Sequence, residues 1–175
     1  MSLITSVLLP AFEHKTAWQF TSSSGGSLGG WSIGGGGGTL YLANTSTREE
    51  RTLRYFAGGA SLGPLAGGGS FSTADMWSVG LGNIRAARES LAFGDMKGPM
   101  CILGLSGAGM ASVPEGLSLS MYFLGFSVVS GLTSLLGGPL VALLNGLTAA
   151  TAFGMMAGHI KGTDVGLSLQ TGWAF

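Results

Sequence analysis

Apolar and polar residues alternate along much of the first two thirds of the chain, in short runs typical of β-strands. Residues 39–43 and 52–56 are β-favouring runs, and the polar residues 44–51 between them suit a hairpin with a longish loop. Residues 18–20 and 100–105 are further strand candidates. The pattern predicts an antiparallel sheet in this part of the chain.

Glycine is unusually frequent between these strands, with 33 glycines in 175 residues and an unbroken run at 34–38. Glycine inside strand patterns indicates bulges, sharp curvature or close approach of two backbones. A strongly curved sheet or a small barrel is therefore expected rather than a flat sheet. Residues 84–91 are the one helical exception that the pattern predicts in this region.

The last residues show the clearest strand pattern in the chain. Leu167, Leu169, Thr171, Trp173 and Phe175 alternate with smaller or more polar residues, which predicts a C-terminal strand. This segment resembles the terminal strand of bacterial outer-membrane barrels, which ends in alternating apolar residues and a final Phe. The alternative is a closing strand of a small soluble sheet.

Charge divides the chain more sharply than any linker. Apolar residues make up 46% of the sequence and charged residues 9%, and the segment 116–160 has no Lys, Arg, Asp or Glu. We therefore expect a Gly-rich β region at 1–115, an apolar membrane-active segment at 116–160 and a strand at 161–175, packed as one unit. The formal net charge of zero gives no attraction to nucleic acid.

The uncharged segment predicts a helical hairpin. Residues 117–136 and 140–158 would each span about 30 Å as helices, which is the hydrocarbon thickness of a bilayer. Gly137, Gly138 and Pro139 lie between them, where glycine would end one helix and proline would start the next. The predicted fold class is therefore α+β, with a Gly-rich antiparallel sheet or small barrel, an apolar helical hairpin and a C-terminal strand.

Small residues recur at intervals of four in the second predicted helix, as in close helix packing within lipid. These residues are Ala142, Gly146, Ala150, Gly154 and Gly158. A buried core hairpin in a soluble protein is the alternative interpretation.

The sequence offers little for catalysis or metal binding. Ser61, Asp75 and His159 have the chain order of a hydrolase triad, but Gly-x-Ser-x-Gly patterns arise by chance in a chain so rich in Gly and Ser. His14, His159 and the single Cys101 have no metal-ligand spacing. We expect no catalytic residues, no metal and no cofactor, and hence a protein that is not an enzyme.

In outline the chain resembles small pore-forming antibacterial effectors that bacteria deliver by type VI secretion. The resemblance rests on the Gly-rich body, the apolar segment with its small-residue repeat and an N-terminus without a secretion signal. It implies a membrane-inserting toxin that makes a bacterial membrane permeable to ions, is cytoplasmic in the producer, leaves it without a signal peptide and acts at the target cell membrane.

The partners that this resemblance implies are the lipid bilayer, a secretion carrier or chaperone, a cognate immunity protein and further copies of the chain within the membrane. Two other classes remain open. One is a non-enzymatic, Gly-rich lipid-binding β-barrel module, and the other is an outer-membrane barrel protein.

Overall fold

The chain forms one antiparallel β-sheet in the computed structural model, which describes residues 12–30, 33–62, 78–108, 115–130, 136, 148–161 and 166–175. Nine strands pair in the order β2-β3-β9-β6-β7-β8-β4-β1-β5. Their bounds are β1 His14–Gly30, β2 Ile33–Asn44, β3 Glu50–Leu62, β4 Ser78–Gly80, β5 Asn83–Ala86, β6 Gly98–Ala108, β7 Glu115–Leu124, β8 Ala152–Lys161 and β9 Gly166–Ala174.

The sheet closes on itself as a barrel. β1 pairs with β2 on one side and with the short strands β4 and β5 on the other, and both short strands also pair with β8. Because β4 and β5 share one position, the ring has eight positions. Within the described residues each long strand has a hydrogen-bonded neighbour on both sides, which reduces the sheet edge open to edge-to-edge aggregation.

The hairpin expected around residues 44–51 is present, since β2 and β3 pair from Ile33↔Ala60 to Ala43↔Glu50. The expected C-terminal strand is β9, which closes the gap between β3 and β6. The helix expected at residues 84–91 is wrong, because this segment begins within β5.

The α+β fold class with an apolar helical hairpin is also wrong. Residues that were expected to begin the first helix form β7, and those expected to end the second form β8, which pairs with β7 along its whole length. Residues 128–130, 136 and 148–149 are the helical residues that the structure describes in this segment. No helix in the described ranges is long and apolar enough to cross a bilayer. The physical reason lies in the alternation of Leu and Ser from Leu117 to Ser120, a period of two that suits a strand.

The small-residue repeat is not a helix face. Gly154 and Gly158 lie in β8, and the buried Ala150 directly precedes that strand. Ala142 and Gly146 lie outside the described residues, as does the expected hairpin turn at Gly137, Gly138 and Pro139.

The main core fills one end of the barrel, and we call this end the charged end for the ionised residues described below. Its side chains come from strands all around the ring, so they meet at the barrel axis. The large side chains that the strands contribute are Trp18, Phe20, Leu40, Leu42, Leu53, Ile84, Met100, Ile102, Tyr122, Leu124 and Met156. A short 3-10 helix, Phe93–Met96, caps this end: Met96 is fully buried, and the Trp18 indole donates a hydrogen bond to the Leu91 carbonyl over 3.1 Å.

A second core lies on the outside of the barrel. On β7, Met121 and Phe123 belong to it, whereas Tyr122 and Leu124 belong to the inner core, as expected when successive side chains of a strand point to opposite faces. Phe12 stacks on Phe153 and, together with Phe126 and Ala150, covers this part of the wall. One sector of the outer wall is therefore covered by the chain itself.

Candidate functional site

The barrel wall carries an uncharged belt. β2, β6 and β9 contain no Lys, Arg, Asp or Glu at all. In β3 the last charged residue is Arg54, and the remaining residues to Leu62 are uncharged. At the end of the barrel away from the charged end, Glu115 and Lys161 are backbone partners and terminate the belt in β7 and β8.

The belt is about as tall as the apolar core of a membrane. β7 has ten residues, of which nine follow Glu115, and nine residues rise about 30 Å along a strand. A strand tilt of about 40° reduces this to about 23 Å, close to the roughly 25 Å apolar band of transmembrane β-barrels. Six of the other strands have between 9 and 17 residues, which is enough to cross this height.

Several large apolar side chains project from the outer wall without cover. Phe56 is 60% exposed, Phe175 54%, Tyr41 40% and Trp173 36%, and Val79 and Leu105 are exposed as well. Phe56 and Trp173 are direct backbone partners on β3 and β9, so this apolar surface is continuous across adjacent strands. Large contiguous apolar patches are uncommon on the water-facing surfaces of monomeric proteins.

Three aromatic rings meet across the inside of the barrel. Phe20 on β1 and Tyr55 on β3 both approach Tyr122 on β7, with ring centroids 5.5 Å and 6.4 Å apart. The Tyr122 hydroxyl also hydrogen bonds with Tyr55, Ser120 and Ser23. Because the three strands come from different sides of the ring, these rings fill the lumen as part of the inner core.

The structure does not place Ser61 and His159, two members of the possible hydrolase triad, on neighbouring strands. Ser61 lies in β3 and is the backbone partner of Ser168, whereas His159 lies in β8 opposite Leu117. β3 and β8 are not adjacent in the sheet, and Asp75 lies outside the described residues. Within the described ranges, no group of three or more His, Cys, Asp or Glu side chains could hold a metal ion.

Sequence reasoning missed both surfaces that define this barrel. The outer belt was visible as missing charge, but that signal was assigned to residues 116–160 alone, although β2, β6 and β9 share it. The ring cluster of Phe20, Tyr55 and Tyr122 had no local signal, because its members lie far apart in sequence.

Comparison of the chain with protein-family models, with curated proteins and with solved structures found no match.

Proposed function

We propose that this protein is a membrane-embedded β-barrel whose uncharged outer wall contacts lipid acyl chains. The observation that carries the proposal is the belt: a closed ring of strands in which the ionised residues that the structure describes are confined to the two ends. In a bilayer every backbone N–H and C=O must be bonded within the protein, and a closed barrel achieves this with strands. The exposed Val79 and Leu105 then contact hydrocarbon instead of water.

Permeabilisation of a bacterial membrane is a second candidate, and the resemblance to secreted effectors supports it. The inner core and the ring cluster of Phe20, Tyr55 and Tyr122 block the lumen at the charged end. Ion leakage would therefore require several barrels to assemble around a gap. The strands of the barrel wall, instead of the expected helices, would then span the membrane. The secretion carrier and the immunity protein stay predictions.

A lipid-binding module is less well supported. Such a module needs an empty chamber for an acyl chain, whereas side chains fill the charged end of the barrel. Barrels of eight strands are in general just wide enough for side chains to fill them.

Cysteine accessibility tests the proposal. In a Cys101→Ser background, Leu105→Cys places a thiol on the exposed wall of β6, and Thr47→Cys places one in the exposed turn between β2 and β3. After folding into phosphatidylcholine vesicles, a charged maleimide should label the position 47 thiol rapidly and the position 105 thiol at least tenfold more slowly. Both should react equally in urea.

Equal labelling of the two thiols in vesicles would contradict a membrane-embedded wall. So would failure of the protein to float with vesicles through a density gradient. Floating protein whose vesicles also release a trapped dye would favour the permeabilising candidate over a closed barrel.

A further inference from the structure

Four exposed aromatic side chains form a patch on one sector of the outer wall, close to the charged end. Phe56 and Trp173 are backbone partners, and the Phe56 and Phe175 ring centroids are 6.4 Å apart. Tyr41 lies on the neighbouring strand β2. We call Tyr41, Phe56, Trp173 and Phe175 the aromatic patch.

Arg54 lies within this patch. It is two residues before Phe56 on the same face of β3, and its backbone exchanges two hydrogen bonds with Phe175, of 2.9 Å and 3.2 Å. Its side chain is exposed, and among the described residues the one ion pair joins Arg51 to Glu49 and leaves Arg54 without an acidic partner. An exposed arginine without an acidic partner among the described residues therefore lies next to Phe175 in the sheet, at the margin of the uncharged belt.

Among the described residues, the charged end has an excess of basic side chains. Its seven basic residues are Lys15, Arg48, Arg51, Arg54, Arg85, Arg88 and Lys97, and its five acidic residues are Glu13, Glu49, Glu50, Glu89 and Asp95. Seven minus five leaves a net side-chain charge of +2. The described part of this end is therefore cationic.

We propose that the aromatic patch and Arg54 bind the headgroup layer of an anionic phospholipid membrane, with Arg54 contacting the lipid phosphate. This inference rests on the proposed membrane-embedded function. It adds the class of lipid that the barrel contacts, and it places the charged end at the depth of the lipid headgroups. Trp and Tyr concentrate at membrane interfaces because they combine an apolar ring with a polar group. A guanidinium matches the geometry of a phosphate through two parallel N–H donors.

Charge complementarity favours a lipid surface over a second copy of this chain. Two copies meeting through their patches would bring Arg54 against Arg54 and add like-charge repulsion to the excess cations of both ends. An anionic headgroup instead supplies the missing acceptor. The aromatic patch is also continuous with the uncharged belt, because Phe56 belongs to the uncharged part of β3 that follows Arg54.

Fluorescence quenching by brominated lipids tests this inference. The protein is folded into vesicles that contain either dibrominated phosphatidylglycerol or dibrominated phosphatidylcholine at the same mole fraction. The signal of Trp173 is the difference between the protein and its Trp173→Phe variant. One cation near a lipid surface contributes an electrostatic preference that corresponds to about fivefold in binding. We therefore expect Trp173 to select the anionic lipid by about fivefold.

Substitution at Arg54 separates charge from general lipid contact. Arg54→Gln should bring the selectivity close to one, whereas Arg54→Lys, which keeps the charge, should retain most of it. Equal quenching by the two lipids in the unmodified protein would overturn the headgroup inference but leave the membrane-embedded barrel intact. No quenching of Trp173 by either lipid would overturn both.

Discussion

Gly154 on β8 lies against the ring of Phe20 on β1, and a Cβ atom at position 154 would overlap the edge of that ring. β1 and β8 are not neighbours in the barrel along most of their length, because β4 and β5 lie between them. The Phe20 ring therefore reaches across the inside of the barrel, and the missing side chain at Gly154 leaves room for it. This contact links the first strand of the barrel to the eighth.

Substitution of Gly154 should destabilise the barrel through this contact. Gly154→Ala forces the Phe20 ring out of its position and should cost about 1–3 kcal/mol of unfolding free energy, as overpacking does in other cores. Denaturant unfolding followed by tryptophan fluorescence gives the value. Gly94→Ala is the matched control, because a Cβ at Gly94 meets no atom within 4 Å.

A second substitution tests the cause. In a Phe20→Leu background the added methyl at position 154 has more room, so the penalty of Gly154→Ala should shrink. The same loss in both backgrounds would show that the ring contact does not set the cost.

Local sequence patterns predicted the elements whose signal lies within one short stretch of the chain. The β2–β3 hairpin followed from two β-favouring runs around a polar turn, and β9 followed from the alternation that ends at Phe175. Both signals are readable within about ten residues, because side-chain period and turn composition are local properties.

The apolar segment was misread because missing charge does not distinguish a helix from a barrel wall. A wall strand in lipid is as uncharged as a transmembrane helix, and Gly154 and Gly158 repeat at a spacing that fits both. The inner contact of Gly154 depends on Phe20, which lies far away in the sequence. No local pattern could have predicted such a contact.

Gly82 and Gly125 both have positive φ. Comparing their substitutions separates the cost of a left-handed backbone from the cost of steric overlap. Gly82 has φ +84° with no atom within 4 Å of an added Cβ, whereas Gly125 has φ +69° and a Cβ there would overlap the Asp95 carbonyl oxygen. Gly82→Ala should cost about 1–2 kcal/mol from the left-handed backbone alone. Gly125→Ala should cost a further ~1–3 kcal/mol. Equal shifts of the two denaturation midpoints would argue against the close approach of Gly125 to Asp95.

The Tyr122 hydroxyl should contribute to stability from inside the barrel. It hydrogen bonds with Tyr55, Ser120 and Ser23, and the last of these is buried. Tyr122→Phe leaves these groups without that partner, so we expect a loss of about 1–3 kcal/mol. Tyr41→Phe removes a hydroxyl from an exposed ring and should change the unfolding free energy by less than about 0.5 kcal/mol. Similar effects of the two substitutions would contradict a hydrogen-bonded cluster across the lumen.

Removal of the last three residues should open the barrel between β3 and β6. Trp173 and Ala174 pair with β3 on one side and β6 on the other, and Phe175 adds two backbone hydrogen bonds to Arg54. Ala174 is fully buried in the inner core. We expect the deletion to cost about 2–4 kcal/mol from lost burial and hydrogen bonds and to expose strand edges that favour aggregation.

Mobility in unheated detergent gels reports this opening, since a closed barrel migrates differently from its heated, unfolded chain. The full chain should show both bands, and the truncated chain should show the unfolded band alone. Phe175→Leu keeps the backbone and an apolar side chain, so it should behave as the full chain does. If the truncated chain keeps the folded band and an unchanged denaturation midpoint, closure depends on the earlier part of β9, from Gly166 to Gly172, where the same two neighbours are already paired.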